Sequence, residues 1–537
     1  MTAREREHMS AVKCMFLTLT GMLAVPVLAA ATPRLFVNED AWVFFGHHHD
    51  RTIADRAGLV GEIETYIDTF AEHGRVTDIA FNVNGMRAGY PSAVNETMWA
   101  TERPDGTMAF AGSLQKRYYD LGLDPYALAL ARCRERGMRG WISMRMNDVH
   151  FITASNNLWQ GSAMWRRHPE WRQVKDVEPA GSKRDWNDFA WDYGVKELRD
   201  FQFSVFREIA DRYDADGYEL DFVRWWRPLA PGRERVDAPC VTEFIRRCRD
   251  YTRGLAKRRG HPVRLSVRVP AVLARAHELG FDVEVWAKEG IVDLLVPCNF
   301  FSPIDFDMDF AEWKRVIGAA NPKTELLPGA TDCFAQEPCR VQWEAWNAWA
   351  DRRYREGATG LYLYNFSYLD RPTLEKLKRE GLQPEKVGSA ARRYVVTYHD
   401  ICAAKDRARQ LPVYLTSDAE ISLHVSSPPA KGESAEIVLA IQKDDAPAPE
   451  LWFNGVKVSG APFRGETPRT YGDDRTSRTV WHYPITPLSV RRGVNRITVG
   501  SIGEKVFLRW TELAIRAILP ATHSTPRSGN LPITQGE

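Results

Sequence analysis

Hydrophobic and polar positions run along this chain in two rhythms. From about residue 75 to 370, short runs of period two are separated by longer stretches of helical period. The strand-like runs are 78–83 (DIAFNV), 139–146 (RGWISMRM), 217–223 (GYELDFV), 263–269 (VRLSVRV), 292–300 (VDLLVPCNF), 324–327 (TELL) and 360–365 (GLYLYN). Helical periodicity marks 125–136, ended by Gly137, and 196–213, with Leu198, Phe201, Val205, Ile209 and Tyr213 on one face. It also marks 242–258 and 341–356, the latter ended by Gly357. Strand followed by helix, repeated this often, predicts a parallel sheet. The expected fold is α/β, a (β/α)8 TIM barrel over residues 32–405, with its one unassigned strand near 165–171 or inside a long loop. A doubly wound nucleotide-binding sheet is disfavoured, because neither Gly-x-Gly-x-x-Gly nor a phosphate-binding loop occurs.

Beyond about residue 410 the helical period stops. Period-two runs follow at 420–425, 436–441, 451–458, 479–484, 495–499 and 505–518. Asn454-Gly455 between LWF and VKV is a strong hairpin signal. These runs predict an all-β sandwich over 406–520. Residues 521–537, rich in Ser, Thr, Pro and Gly, read as a disordered tail.

The first thirty residues follow neither rhythm. Arg4, Arg6 and Lys13 precede the apolar run 15–28 (MFLTLTGMLAVPVL), and Ala29, Ala30 and Ala31 follow it. That is the pattern of a signal peptide over 1–31 and predicts a secreted or periplasmic protein. No later run reaches the roughly 18 apolar residues of a membrane span, so no integral span is expected.

Composition narrows the function classes. Lys plus Arg number 72 and Asp plus Glu 70, a net charge of +2, so no strongly basic domain is available for nucleic acid. Of eight cysteines, Cys14 lies in the leader, which leaves an odd number; Cys333 and Cys339 are the nearest local pair. No zinc spacing occurs, and His47, His48, His49 and Asp50 read as loop, so no metal or cofactor is expected. The 18 tryptophans change the picture more. Trp159, Trp165, Trp171, Trp186, Trp191, Trp225 and Trp226 fall in the long loops after 139–146 and 217–223, where aromatic faces would suit sugar rings. Trp343, Trp346 and Trp349 sit at helical spacing and read as core.

In a (β/α)8 barrel, chemistry gathers at the carboxyl ends of the strands. The most informative end is 216–226 (DGYELDFVRWW). Alternation puts Glu219 and Asp221 on the inner face, and Tyr218, Leu220 and Phe222 on the outer one. Two carboxylates inside a barrel are costly unless used or paired; Arg145 and Arg268 are the candidate ion-pair partners. The run 139–146 leads into Arg145, Asn147, Asp148 and His150, groups suited to holding hydroxyls or moving protons, or else to a solvated loop. Asn84, Arg268, Asn299 and Asn365 close other strand ends, and Asp332 follows 324–327. With Arg224 and Trp225, these form the candidate carbohydrate-binding set. Arg145, Arg268, Arg224 and Arg227 would also suit an anionic sugar.

The segment GYELDFVRW resembles the fourth-strand motif of the glycoside-hydrolase-10-like barrels, Asp-Gly-apolar-x-apolar-Asp-aromatic-x-Arg. Asp216, Gly217, Asp221, Phe222 and Arg224 match it. Glu219 stands at the variable position, and Trp225-Trp226 replaces the usual Tyr-Pro. The resemblance covers about residues 35–400 and implies a (β/α)8 glycosidase fold. NGVKV and RRGVNRITV in the C-terminal part are similar to galactose-binding-like sandwiches attached to such enzymes.

Glycoside hydrolysis places two carboxyl groups on opposite sides of the bond, about 5–5.5 Å apart for retention and about 6.5–9.5 Å for inversion. Glu219 and Asp221 rise from one wall and cannot easily flank a bond. The expected catalytic set is therefore Asp221 with Asp332 or Asp148, while Glu219 positions Asp221 or a substrate hydroxyl. The function expected is a secreted glycoside hydrolase acting on a polysaccharide or oligosaccharide. A non-catalytic carbohydrate-binding barrel and a polysaccharide lyase are the alternatives. No Gly-x-Ser-x-Gly elbow favours an esterase.

Overall fold

The computed structural model describes residues 33–40, 44–45, 52–100, 110–150, 152, 161–175, 177–179, 181–299, 306–331, 343–365, 371–396, 410–465 and 478–518. The leader, His47 to Asp50, Trp159, Asp332, Cys333, Cys339 and the tail beyond residue 520 lie outside the described residues.

The barrel strands are β1 (Arg34–Glu39), β2 (Asp78–Asn82), β3 (Arg139–Arg145), β4 (Gly217–Asp221), β5 (Arg264–Pro270), β6 (Leu294–Cys298), β7 (Glu325–Leu326), β8 (Gly329–Thr331) and β9 (Gly360–Tyr364). All pair in parallel, in the order β7-β6-β5-β4-β3-β2-β1-β9-β8. Residues 325–331 act as one strand broken at Pro328, whose missing N–H interrupts the ladder. The first half pairs with β6, and Leu327 N donates to Leu295 O at 3.1 Å. Pro328 O accepts from Tyr362 N at 3.0 Å, and the second half pairs with β9. This crossing closes an eight-position barrel. Gly329 permits it, since a Cβ there would lie 2.6 Å from Cys298 Cβ.

The strand unassigned from the sequence is β1, not 165–171. Its inward positions, Arg34, Phe36 and Asn38, share no polarity, so the run gives no clean alternation. The 165–171 region instead forms a short helix, Ala163–Arg167, and a 3-10 turn, Pro169–Trp171. Pro169 ends the first and starts the second.

The helix expected at 196–213 spans Lys196–Arg212 and buries Leu198, Val205 and Ile209. Pro125–Glu135 is capped by Asp124, whose side chain accepts from Tyr126 N and Ala127 N, and Gly137 adopts φ 73° just past its end. Inside the barrel, Asp78 ties the base together through Arg34, Arg139, Trp141 Nε1 and Thr77. Above it pack Phe36, Ala80, Trp141, Leu294, Val296, Leu327 and Tyr362. Gly217 is required there, because any Cβ would overlap the Trp141 ring.

The C-terminal part is two antiparallel sheets, one of six strands and one of four. Arg392–Val395, on the N-terminal side of residue 406, pairs with Phe507–Ala517 and so belongs to this sandwich. The barrel helix Trp343–Arg355 packs on it, with Tyr394 OH donating to Asp351 Oδ2 at 3.0 Å. Trp346 and Trp349 of this helix are buried. Asn454 and Gly455 have φ 52° and 81° between Leu451–Phe453 and Val456–Lys457, as a tight hairpin turn demands.

Candidate functional site

The motif on β4 has a physical use for each matched residue. Asp216 Oδ2 accepts from Gly140 N at 2.9 Å and ties β4 to β3. Gly217 makes room for Trp141. Phe222 packs outward against Tyr193 and Phe281. Glu219 and Asp221 face the barrel interior, as alternation requires, and both are fully buried.

Asp221 realises the ion-pair alternative. Arg268 on β5 donates through Nε to Oδ1 at 2.8 Å and through Nη2 to Oδ2 at 3.0 Å. Val223 N (3.0 Å) and Arg224 N (3.3 Å) add two donors, so the carboxylate fixes the turn that carries Arg224 and Trp225. The Arg268 guanidinium stacks on Tyr364, 3.6 Å from the ring centroid. Glu219 Oε1 accepts from Asn38 Nδ2 (3.0 Å), Ser143 Oγ (2.8 Å) and Tyr362 OH (2.9 Å). Burial and the neighbouring Asp221 charge push Glu219 above the usual carboxylate range, against Arg268 and two of those donors.

A second network stands beside it. Arg145 donates to Asp148 Oδ2 at 2.9 Å, to Asp40 Oδ2 at 2.6 Å and to Tyr364 OH at 3.5 Å. Asp148 Oδ1 meets His150 Nδ1, and Arg224 Nη2 lies 2.7 Å from His150 Nε2. Arginine can only donate, so Nε2 accepts and the proton sits on Nδ1, pointing at Asp148. Burial alone would raise Asp148, but His150 and Arg145 outweigh it and hold the carboxyl well below the usual range. Burial, with Arg224 beside it, lowers His150 despite Asp148. His150 is therefore neutral at pH 7.

Trp225 adopts φ 65°, a conformation costly for a bulky residue, and sets its ring 4.2 Å from His150 and 5.8 Å from Trp186. Asp148, His150, Arg224, Trp225 and Trp186 thus form one contiguous group at the carboxyl ends of β3 and β4.

Other expected residues are placed differently. Asn84 spends its amide on the backbone of Gly85 and Arg145, and Asn147 spends its own on Arg227 O and Trp191 N. Both brace loops instead of offering free hydrogen-bonding groups. Asn299 is buried, its carbonyl 3.4 Å from Arg268 Nη1, and Asn365 sits at φ 50° just past β9. Asp332 lies outside the described residues. Three of the four arginines expected to suit an anionic sugar are held by aspartates. Arg145 and Arg268 are neutralised by aspartates, and Arg227 pairs with Asp188 at 2.6 Å. Trp165, Trp171 and Trp191 are buried, as Trp225 and Trp226 are; Trp165 Nε1 donates to Phe189 O, and Arg172 stacks on its ring at 3.8 Å.

Sequence reasoning missed Asn38, Asp40, Ser143, Tyr362 and Tyr364. Asn38 and Asp40 follow from β1 once that strand is recognised, since they continue its inward parity. Tyr362 and Tyr364 were legible as alternating positions of 360–365. Among the described residues, no three or more of His, Cys, Asp and Glu gather as a metal site, and no helix is long and apolar enough to cross a membrane. Cys133, Cys240, Cys248 and Cys298 are free thiols.

No protein-family model and no curated protein match the chain. Among solved structures, it is similar to a cycloisomaltooligosaccharide glucanotransferase from a Paenibacillus species, at 10% identity over 90% of this chain and 57% of that one, with TM-score 0.36. It is also similar to the galactosidase domain of alpha-galactosidase-sucrose kinase, at 13% identity over 88% and 54%, with TM-score 0.36. A third is the PgaB (BpsB) glycoside hydrolase domain of Bordetella bronchiseptica, at 10% identity over 65% and 98%, with TM-score 0.38. The chain thus spans little more than half the length of the first two. Likenesses this distant carry no argument about the site, and the barrel stands on its own strand pairing.

Proposed function

We propose that this protein is an exported glycoside hydrolase that cleaves O-glycosidic bonds of an oligosaccharide or polysaccharide at the carboxyl end of its barrel. The observation that carries this reading is the group Asp148, His150 and Arg224 set against Trp225 and Trp186. It joins an ionised carboxylate, oriented polar groups and aromatic rings, the chemistry that sugar hydroxyls and C–H faces require. The resemblance of 216–224 to the glycoside-hydrolase-10-like motif supports it, and the leader over 1–31 supports export.

Asp148 is held ionised, so it serves as base, nucleophile or charge stabiliser, and the proton donor is a different group. We assign that role to Asp332, the residue that follows β8 in the sequence. Asp221 acts as a positioning residue. Locked to Arg268, it orients the turn bearing Arg224 and Trp225. Glu219, beneath it, supports the same wall.

Release of reducing ends from a polysaccharide panel tests the reading. The expected result is release without a 4,5-unsaturated product, reduced about 10²–10⁴-fold in Asp148→Asn. Unsaturated product would identify a lyase. Retention on a glycan gel without release would identify a binding protein. Wild-type turnover by Asp148→Asn would remove Asp148 from the chemistry.

A further inference from the structure

Two tyrosines stand one pleat apart on the inner face of β9, and their hydroxyls are used differently. Tyr362 OH donates to Glu219 Oε1 at 2.9 Å. Tyr364, the last residue of the strand, is 3% exposed, and among the described residues its hydroxyl has one hydrogen-bond partner, Arg145 Nη2 at 3.5 Å. Arginine can only donate, so the phenol oxygen accepts there. The phenol proton itself has no acceptor among the described residues. Donors this deeply buried are rarely left so.

The ring that carries the hydroxyl is braced. The Arg268 guanidinium lies against its face, 3.6 Å from the centroid, and Asp221 fixes that guanidinium through two bonds. Burial pushes the phenol above its ordinary range against Arg145, Arg224 and Arg268, so the proton stays on at neutral pH. A cation donating to the oxygen also polarises the O–H bond and strengthens it as a donor.

Position says what the proton serves. Tyr364 and Arg145 end β9 and β3, and the carboxyl ends of barrel strands open on the cleft. Arg145 Nη1 donates to Asp148 Oδ2 at 2.9 Å, while Nη2 reaches Tyr364 OH and, at 2.6 Å, Asp40 Oδ2. The hydroxyl and the ionised Asp148 therefore stand on adjacent arms of one guanidinium. A sugar carries oxygens on successive carbons, so one that reaches Asp148 has a second oxygen for the phenol. Water can accept the proton in the free protein. A ligand that displaces this water has to offer an oxygen in its place, or the donor is left unpaired at a cost.

We propose that Tyr364 is a specificity-determining residue, whose hydroxyl donates to an oxygen of the sugar bound beside Asp148 and so rejects a sugar that lacks that oxygen. The proposal rests on reading the cleft as a carbohydrate site, but not on turnover there.

Calorimetry on the full chain tests it. The probes are an oligosaccharide of the polysaccharide that is cleaved, or that is retained on a glycan gel, and the monodeoxy forms of that oligosaccharide. Wild type should bind one monodeoxy form at least about tenfold more weakly than the parent, and Tyr364→Phe should bind that form and the parent alike. Discrimination against the other monodeoxy forms should persist. Phe keeps the ring on Arg268, so the melting temperature should stay near that of wild type. Undiminished discrimination in Tyr364→Phe would overturn the proposal. So would an equal loss of affinity for the parent and every monodeoxy form, which would assign the hydroxyl to the fold. Should Tyr364→Phe fail to fold, a crystal of wild type with the parent oligosaccharide decides, by whether a sugar oxygen lies within about 3 Å of the phenol oxygen. Discrimination by Tyr364 without release of reducing ends would keep this proposal and end the hydrolase reading. A chain that neither cleaves nor binds any glycan of the panel would overturn both.

Discussion

Replacing Arg268 by Met removes the one cation that balances Asp221 while roughly preserving volume. The side chain is wholly buried, as is its partner, so solvent cannot take over the lost interaction. Both charge-assisted bonds disappear, along with the stack on Tyr364. Asp221 keeps only Val223 N and Arg224 N as donors. Breaking a buried pair by deleting one partner costs about 3–5 kcal/mol, because the remaining charge is left desolvated. Deleting both should cost less than the sum. In Arg268→Met with Asp221→Asn, the coupling should offset about 1–3 kcal/mol of the two single losses. Arg268→Lys should recover little, since an ammonium cannot reproduce the two parallel bonds. The assay is urea unfolding followed by tryptophan fluorescence and far-ultraviolet circular dichroism. A stability within 1 kcal/mol of wild type for Arg268→Met, or strict additivity in the double variant, would refute the reasoning.

Other consequences are open to direct measurement. Burial would raise Asp78, but Arg139 and Arg34 outweigh it and hold the carboxyl at about 2, below its unfolded value of 3.8. Its contribution, about 2 kcal/mol from the 1.36 kcal/mol per pKa unit, is complete above the unfolded value and is lost as pH falls through the folded one. Asp78→Asn should therefore be less stable than wild type at pH 7, and the gap should close toward pH 2. Gly217→Ala drives a methyl group into the Trp141 ring and should cost about 1–3 kcal/mol in the same unfolding assay. Trp225→Gly relieves the φ 65° strain while removing the ring beside His150 and Trp186. Its melting temperature should stay near that of wild type while oligosaccharide affinity by calorimetry falls at least tenfold. Unchanged affinity would take the ring out of the site.

Much of this architecture is written locally. Period two put Glu219 and Asp221 on one face because a strand turns each successive side chain over, wherever the strand sits. Gly137 beyond its helix and Asn454-Gly455 between two strands mark boundaries because their backbone angles are set within a few bonds. The spacing of Trp346 and Trp349 announced a buried helix face for the same reason. β1 escaped notice because its inward residues are a cation, an aromatic and an amide, whose common orientation appears only when the barrel closes. Pro328 reads as a strand end, yet in space it is where one strand passes from β6 to β9.

The sequence by itself determined which elements form and which face each candidate group occupies, since these depend on dihedral preferences and side-chain alternation over a few residues. Only the tertiary structure decided which charges meet. Arg268 stands 47 residues beyond Asp221, and Arg145 lies 105 residues beyond Asp40. Strand register across the closed barrel made one aspartate a buried brace and another an ionised group beside a histidine.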